Sequence, residues 1–250
     1  MILSGRLLLG LGLVVLWEVL HRWLGPGVIA GLYDISLRIV EITRDGRLFR
    51  HGGVTLYESF AGLAIGGSLG LALPFLLRLS PRAEHALSPF IGAAMGVPKL
   101  ALAPLVILWF GIGLASKIAF VAAVVFFLIF FSTMAGLHAT EPRLLAIARL
   151  MGAGRWLLLR EILFPSAVPY VLASLKIAAP RALSAAVVGE FVASDAGLGF
   201  YIRDAMDQAD TIGIFAGVVV VTVVTVIVNE GLERLQRAAL GWREVGLGGF

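Results

Sequence analysis

From residue 118 to residue 137 the chain reads IAFVAAVVFFLIFFSTMAGL, without one charged side chain. Hydrocarbon offers a backbone no water to pair with, so a run this apolar must satisfy its amides internally, as a helix. About 20 such residues also match the thickness of a bilayer. Runs of the same character recur at 7–24, 56–79, 87–110, 167–192 and 212–228. The expectation is an all-α membrane domain of about six spans with the lipid bilayer as its solvent. Charged residues make up 14% of the chain, against about 25% in soluble domains, which supports that class. The net charge of +4 does not point to nucleic acid, because the arginines flank apolar runs, where membrane topology accounts for them.

The segments between the runs set the organisation. The first run exceeds the ~7–15 residues of a cleavable signal core, so it reads as a retained span closed by Gly25-Pro26-Gly27. An amphipathic helix is expected over 35–42, followed by a polar stretch at 44–53. Pro98, Lys99 and Pro104 should break or kink the third span, and Gly111-Ile112-Gly113 should turn tightly. The Phe- and Val-rich run at 118–137 is expected to face lipid. Between 139 and 165, Leu144, Leu145 and Ala148 recur at helical spacing, and Trp156, Leu159 and Leu163 resume it. This describes two short amphipathic helices hinged at Gly152, with Pro165 opening the next element. A last amphipathic helix is expected over 230–242. Arg143, Arg149, Arg155 and Arg160 place the 139–165 loop in the cytoplasm, and a modest excess of arginine on the same side puts both termini there. The chain divides into a first span with an outer amphipathic segment (1–53), a core membrane domain (54–235) and a cytoplasmic tail (236–250).

Several residue types exclude chemistry. There is no cysteine, so thiol catalysis, disulfides and cysteine-ligated metals are out, and His21, His51, His85 and His138 lie far apart in sequence. Gly66-Gly67-Ser68-Leu69-Gly70 fits the serine-nucleophile pattern G-x-S-x-G, but it lies inside an apolar run with no histidine at mid-span to act as base. Gly62, Gly66 and Gly70 instead form a stripe that lets another helix approach closely. No G-x-x-x-x-G-K-[ST] loop exists to cradle a phosphate chain.

Charges inside the runs are few: Glu18, Glu58, Lys99, Lys176, Arg181 and Glu190. Each costs on the order of 3 kcal/mol at mid-membrane, so each must face protein, water or an opposite charge. One reading has Lys99, Lys176, Arg181 and Glu190 along a pathway attractive to an anion. The other has the three cations paired with Glu58 and Glu190, or snorkelling. Gly197 and Gly199 in DAGLGFY (195–201) permit a tight turn, either a plain connection or part of an outer gate.

The 139–165 loop resembles the signature of ABC importer permeases: E-A-A, three residues, G, nine residues, I-x-L-P. In this sequence the register gives Ala146-Ile147-Ala148-Arg149, then Gly152-Ala153, then Ile162-Leu163-Phe164-Pro165. Ala146 stands where the family has glutamate, Ile147 fills the second position, and Phe164 replaces the leucine before the proline. VPKLALAPLVILWFGIG (97–113) and LKIAAPRALSAAVVGEFVASDAGLGFYI (175–202) look like further segments of the nitrate/sulfonate/taurine/bicarbonate-type branch. The resemblance implies a type I permease with cytoplasmic coupling helices between spans 4 and 5, working as a homodimer in the cell inner membrane. It implies two copies of an ATP-binding subunit, which use ATP and magnesium, and an extracytoplasmic solute-binding protein. This chain would bind no cofactor and catalyse nothing itself. Gly197 and Gly199 would then lie near the outer gate. The solute would be a small anion such as nitrate, a sulfonate or taurine. A stand-alone secondary transporter not coupled to ATP is the rival reading, and the absence of a clear internal repeat lends it no support.

Overall fold

The computed structural model describes residues 2–240, with side chains described over 8–80 and 82–234. Most of the expected tail at 236–250, with Arg243, and the side chain of Arg237 lie outside those residues. The described chain is helical: α1 (Ile2–Leu24), α2 (Leu32–Arg44), α3 (Arg47–Leu79), α4 (Pro81–Gly96), a 3₁₀ turn (Lys99–Leu102), α5 (Ala103–Phe110) and α6 (Leu114–His138), followed by α7 (Pro142–Leu150), α8 (Arg155–Leu158), α9 (Phe164–Val192), α10 (Leu198–Asp207) and α11 (Thr211–Leu240). Four helices within the described residues are long and apolar enough to cross a membrane, and α4 with α5 makes a fifth if the bent pair counts as one span. α1 is helical over 23 residues, although its described side chains begin at Leu8.

The centre is α6, packed between α3 and α9. Phe120, Val121, Val125 and Ile129 are buried against Ala178, Ala182, Ala185 and Ala186 of α9. On the other side the glycine stripe of α3 lies against α6: a Cβ on Gly62 would stand 2.5 Å from the Val121 Cβ, and one on Gly70 would stand 2.8 Å from the Phe126 carbonyl oxygen. In lipid, helices associate by close van der Waals packing, and small residues on α3 and α9 let both flanking backbones approach. The expectation that 118–137 faces lipid is therefore overturned. An apolar run has no polar face to orient it, and here it became the most enclosed of the candidate spans.

The third span breaks, the stronger of the two expected forms, and two other expectations shift. α4 and the helical segment after it meet at 94°. Val97 is extended, as a residue before proline should be, and Pro98 supplies no amide to continue the ladder. The polar stretch at 44–53 is mostly helix, because Gly46 turns left-handed (φ 80°), Asp45 Oδ1 accepts from the Arg47 amide at 3.0 Å, and α3 starts at Arg47. The second helix of the 139–165 loop is not separate. α8 passes through a π turn (Leu159–Leu163) into α9, giving one candidate span of 38 residues from Arg155. The wide turn accommodates Pro165, and Ser166 Oγ donates to the Ile162 carbonyl at 2.7 Å.

At one end of the bundle α2 and α10 cap α3, α9 and α11. Ile42, Leu198, Tyr201 and Val220 form a small core there. Asp210 caps α11 by accepting from the Gly213 amide at 3.0 Å and pairs with Arg38 of α2. Burial would raise its pKa, but the Gly213 amide and the Arg38 guanidinium prevail and hold the carboxyl below the usual aspartate range. α1 is tied to the same end: Trp17 Nε1 donates to the Ala30 carbonyl at 3.0 Å, and its ring meets Phe215 edge-on.

Two outcomes follow from this packing. Gly66→Val places a branched side chain against the Ala122 backbone, which cannot yield as a side chain can, and should cost ~3 kcal/mol or more. Gly53→Ala meets open space and should cost little. Thermal unfolding of the two variants in mild detergent would separate them. The Asp210 contribution should be full above the ordinary aspartate range and lost as pH falls through its depressed value. Asp210→Asn should therefore lower the melting temperature at neutral pH and narrow its gap to wild type in acid.

Candidate functional site

The structure brings the candidate residues into three places. The first is the loop at the end of the bundle opposite α2 and α10. Leu145 of α7 is buried with Leu137, Leu158, Leu163 and Ala167, which fastens α7 to the end of α6 and the start of the α8–α9 rod. Leu144, Ile147, Leu150 and Met151 are exposed, the last two by 88% and 83%. An apolar face of roughly two turns left this open calls for a partner. Ala146, standing where the family has glutamate, is on the exposed side. Gly152 ends α7 in the left-handed region (φ 86°), and the Ala153 amide reaches back to the Ala148 carbonyl at 2.9 Å. Nothing lies within 4 Å of a Cβ on Gly152. The position selects glycine through its φ and not through lack of space. Ile162 and Pro165 sit in the π turn and the first turn of α9, away from the exposed face of α7.

The second place is a cavity of 730 Å³ beside the 94° bend, walled by α6 and α9. Lys99 and Arg181 both line it, with Phe127, Phe131, Ser132 and Ser184. Lys99 Nζ donates to the Met95 carbonyl at 3.0 Å, freed by the break after Gly96, and lies 5.6 Å from the centre of the Phe127 ring. Among the described residues no carboxylate pairs with Lys99 or Arg181. Lys176 is exposed elsewhere on α9 and does not line this cavity. Five residues separate it from Arg181, which turns it to another side of the helix.

The third place is a buried polar knot near the α2–α10 end. Glu190 of α9 is fully buried, accepting from Thr55 Oγ1 at 2.7 Å and from the Gly199 amide at 2.7 Å. The Thr55 hydroxyl in turn accepts from the Leu198 amide at 2.8 Å, and His51 Nδ1 from the Gly197 amide at 3.1 Å. Three successive amides of the DAGLGFY turn are thus spent on α3 and α9. Gly197 has φ 109°, and a Cβ there would run into the Glu190 carboxylate; one on Gly199 would strike the Val187 backbone. Both glycines are buried, so the turn faces inward and only Asp195 at its tip is exposed. Glu58, also fully buried, has Lys117 Nζ of α6 at 3.8 Å.

These positions revise the two readings of the intramembrane charges. Glu190 belongs to the knot rather than to the cavity. Lys99, Lys176 and Arg181 are the expected partners of Glu58 and Glu190, whereas the cation beside Glu58 is Lys117. Glu18 pairs locally with Arg22 at 2.9 Å. Lys117, Thr55 and His51 were the residues missed. The one available signal was the cost of Glu58: a buried carboxylate in a span requires a cation, and Lys117 stands just after the Gly111–Gly113 turn.

Comparison with known proteins identifies the family of the chain. Residues 62–239 match the family described as binding-protein-dependent transport system inner membrane component. The formylaminopyrimidine transport permease ThiX of Halalkalibacterium halodurans is 32% identical over 233 residues, covering 93% of each chain. The putative aliphatic sulfonates permease SsuC of Bacillus subtilis is 31% identical, covering 95% of this chain and 87% of its own. The taurine transport permease TauC of Escherichia coli is 30% identical over 79% of this chain and 72% of its own. In fold, the chain is similar to an inward-facing methionine ABC transporter, with a TM-score of 0.59 at 19% identity over 77% of this chain and 94% of that one. The chain belongs to the binding-protein-dependent inner-membrane permeases: it is a multi-pass permease component of an ABC importer, working with an ATP-hydrolysing subunit and a binding protein.

Proposed function

We propose that this permease passes a small anion of the sulfonate or taurine kind, delivered by an extracytoplasmic binding protein, through the cavity lined by Lys99 and Arg181. The observation that carries this reading is two cations on one 730 Å³ cavity with no carboxylate beside them among the described residues. A cation within a span and without an acid needs some other anion, and guanidinium with ammonium suits a sulfonate's fan of oxygens. Phe127 and Phe131 on the same wall favour a second solute class, an aromatic one such as the formylaminopyrimidine named for ThiX. Lys176 and Glu190 have no part in that cavity.

In this reading the permease has six spans: α1, α3, the bent α4–α5 pair, α6, the α8–α9 rod and α11. It acts as a homodimer with two ATPase copies, and both termini are cytoplasmic. The membrane core covers 54–235, with 1–53 and 236–250 as its flanking segments. α7 lies between spans 4 and 5 and serves as the coupling helix, with Ala146, Ile147, Ala148, Arg149, Gly152 and Ala153 as its contact and closing residues and Ile162 and Pro165 as the joint to span 5. ATP and magnesium are used by the ATPase, and this chain holds no cofactor. Its exposed Leu144, Ile147, Leu150 and Met151 enter the ATPase, while buried Leu145 passes each displacement to α6 and α9. The bundle then alternates between inward- and outward-open states, each biased by a different partner. The turn at 195–201, tied by three amides to α3 and α9, follows those helices as part of the outer gate.

Uptake by the reconstituted transporter tests this. Removing one charged contact to an anion costs ~1.5–3 kcal/mol, so Arg181→Met and Lys99→Met should each lower uptake roughly tenfold or more. Lys176→Met should match wild type. Equal uptake by all three would remove the cavity from the pathway. For coupling, Gly152→Val should suffer left-handed strain of ~1–3 kcal/mol, whereas Gly152→Asn tolerates that region. Solute-stimulated ATP hydrolysis should fall in the valine variant and persist in the asparagine one.

A further inference from the structure

A second cavity, of 280 Å³, lies beside the turn between α7 and α8. Three arginines line it: Arg78 from the last turn of α3, Arg149 from the last turn of α7 and Arg155 from the first residue of α8. The rest of its wall is aliphatic, and Leu145, Leu158 and Leu163 in it are each more than nine-tenths buried. Arg78 is 3.2 Å from Glu84 Oε2, whereas Arg149 and Arg155 have no ion pair among the described residues. The volume equals that of roughly nine liquid waters, enough for a phosphodiester headgroup.

Arg149 apart, the wall of this cavity is separate from the surface proposed to meet the ATPase. Leu145 and Arg149 are four residues apart and share one face of α7, turned toward the cavity. Ile147 and Met151 lie on the other face, exposed. The polarity of the wall also changes in one direction. The arginines stand at the end of α3, the end of α7 and the start of α8, and Leu158, Leu159 and Leu163 continue into the membrane-crossing rod. Cations at the boundary above a leucine wall match the junction of a phospholipid headgroup with its chains. Basic pockets between helices at this level take anionic headgroups, and arginine pairs with phosphate bidentately.

We propose that this cavity binds an anionic phospholipid, with its phosphodiester among Arg149, Arg155 and Arg78 and an acyl chain along the leucines. The lipid braces α7 against the α8–α9 rod, so membrane composition sets how firmly the coupling helix is held. The proposal requires that α3 and α8–α9 cross the membrane and does not depend on which solute is carried.

The test reconstitutes the full transporter in nanodiscs of phosphatidylglycerol and phosphatidylcholine in equal parts, extracts it in mild detergent and counts retained lipids by native mass spectrometry. Wild type should retain phosphatidylglycerol in preference. Each surface arginine contributes about fivefold to anionic-lipid binding, so Arg149→Gln with Arg155→Gln should cut that preference by roughly 30-fold. Arg143→Gln, an exposed arginine of α7 outside the cavity, should keep it. A phosphatidylglycerol with a photoreactive acyl chain should label segment 155–163 of wild type, which needs no variant to fold. Undiminished retention in the double variant, or labelling that avoids 155–163, would overturn the proposal. So would loss of the bound lipid to inorganic phosphate alone, which would make the site one for free phosphate. Protection of the cavity by the ATPase subunit in place of lipid would overturn it as well.

Discussion

The Ala122 carbonyl of α6 occupies the space where Gly66 of α3 would carry a side chain, and the structure depends on that contact. Lipid tails are as apolar as the helices themselves, so nothing like aqueous hydrophobic pressure holds a membrane bundle together. What remains is intimate packing, and packing is most intimate where backbone meets backbone. Gly62, Gly66 and Gly70 allow this on one side of α6, and the alanines of α9 come close to it on the other. The three central helices form one unit, and both the cavity at Lys99 and Arg181 and the knot around Glu190 are placed by it.

The knot and the cavity show opposite treatments of charge in the same bundle. Around Glu190 and Glu58, a hydroxyl of α3, a backbone amide of the 195–201 turn and Lys117 of α6 approach the buried carboxylates. Such a network ties its elements to one geometry, because breaking any member strands the others. At the cavity, two cations are left without acids, which is costly unless an anion comes and goes. On the proposed reading, Glu190 serves the frame and the two cations serve the passage.

The coupling end divides its labour by helix face. Leu145 fastens α7 to α6 and the α8–α9 rod, while Ile147, Leu150 and Met151 stay uncovered for a partner. Because α8 continues through the π turn into α9, a displacement of the loop reaches the span through one rod and crosses no flexible linker. The left-handed Gly152 lies in the turn that joins α7 to this rod.

From residues alone the helical membrane class was legible, because unpaired backbone is intolerable in hydrocarbon and the long apolar runs leave no other solution. The glycine stripe, the break at Pro98 and the turn at Gly152 were legible for the same local reason: each depends on what one residue type permits its own backbone. Tertiary structure decided everything that needed a partner from elsewhere in the chain. The run at 118–137 carries no polar face to orient it, so only packing could make it the core. Lys117 reads as a loop cation until α3 brings Glu58 within 3.8 Å. Lys99 and Arg181 share a cavity because a 94° bend and the wall of α6 bring residues 82 positions apart together. Apolarity and backbone chemistry act within a few residues, whereas the pairing of charges is settled by which helices touch.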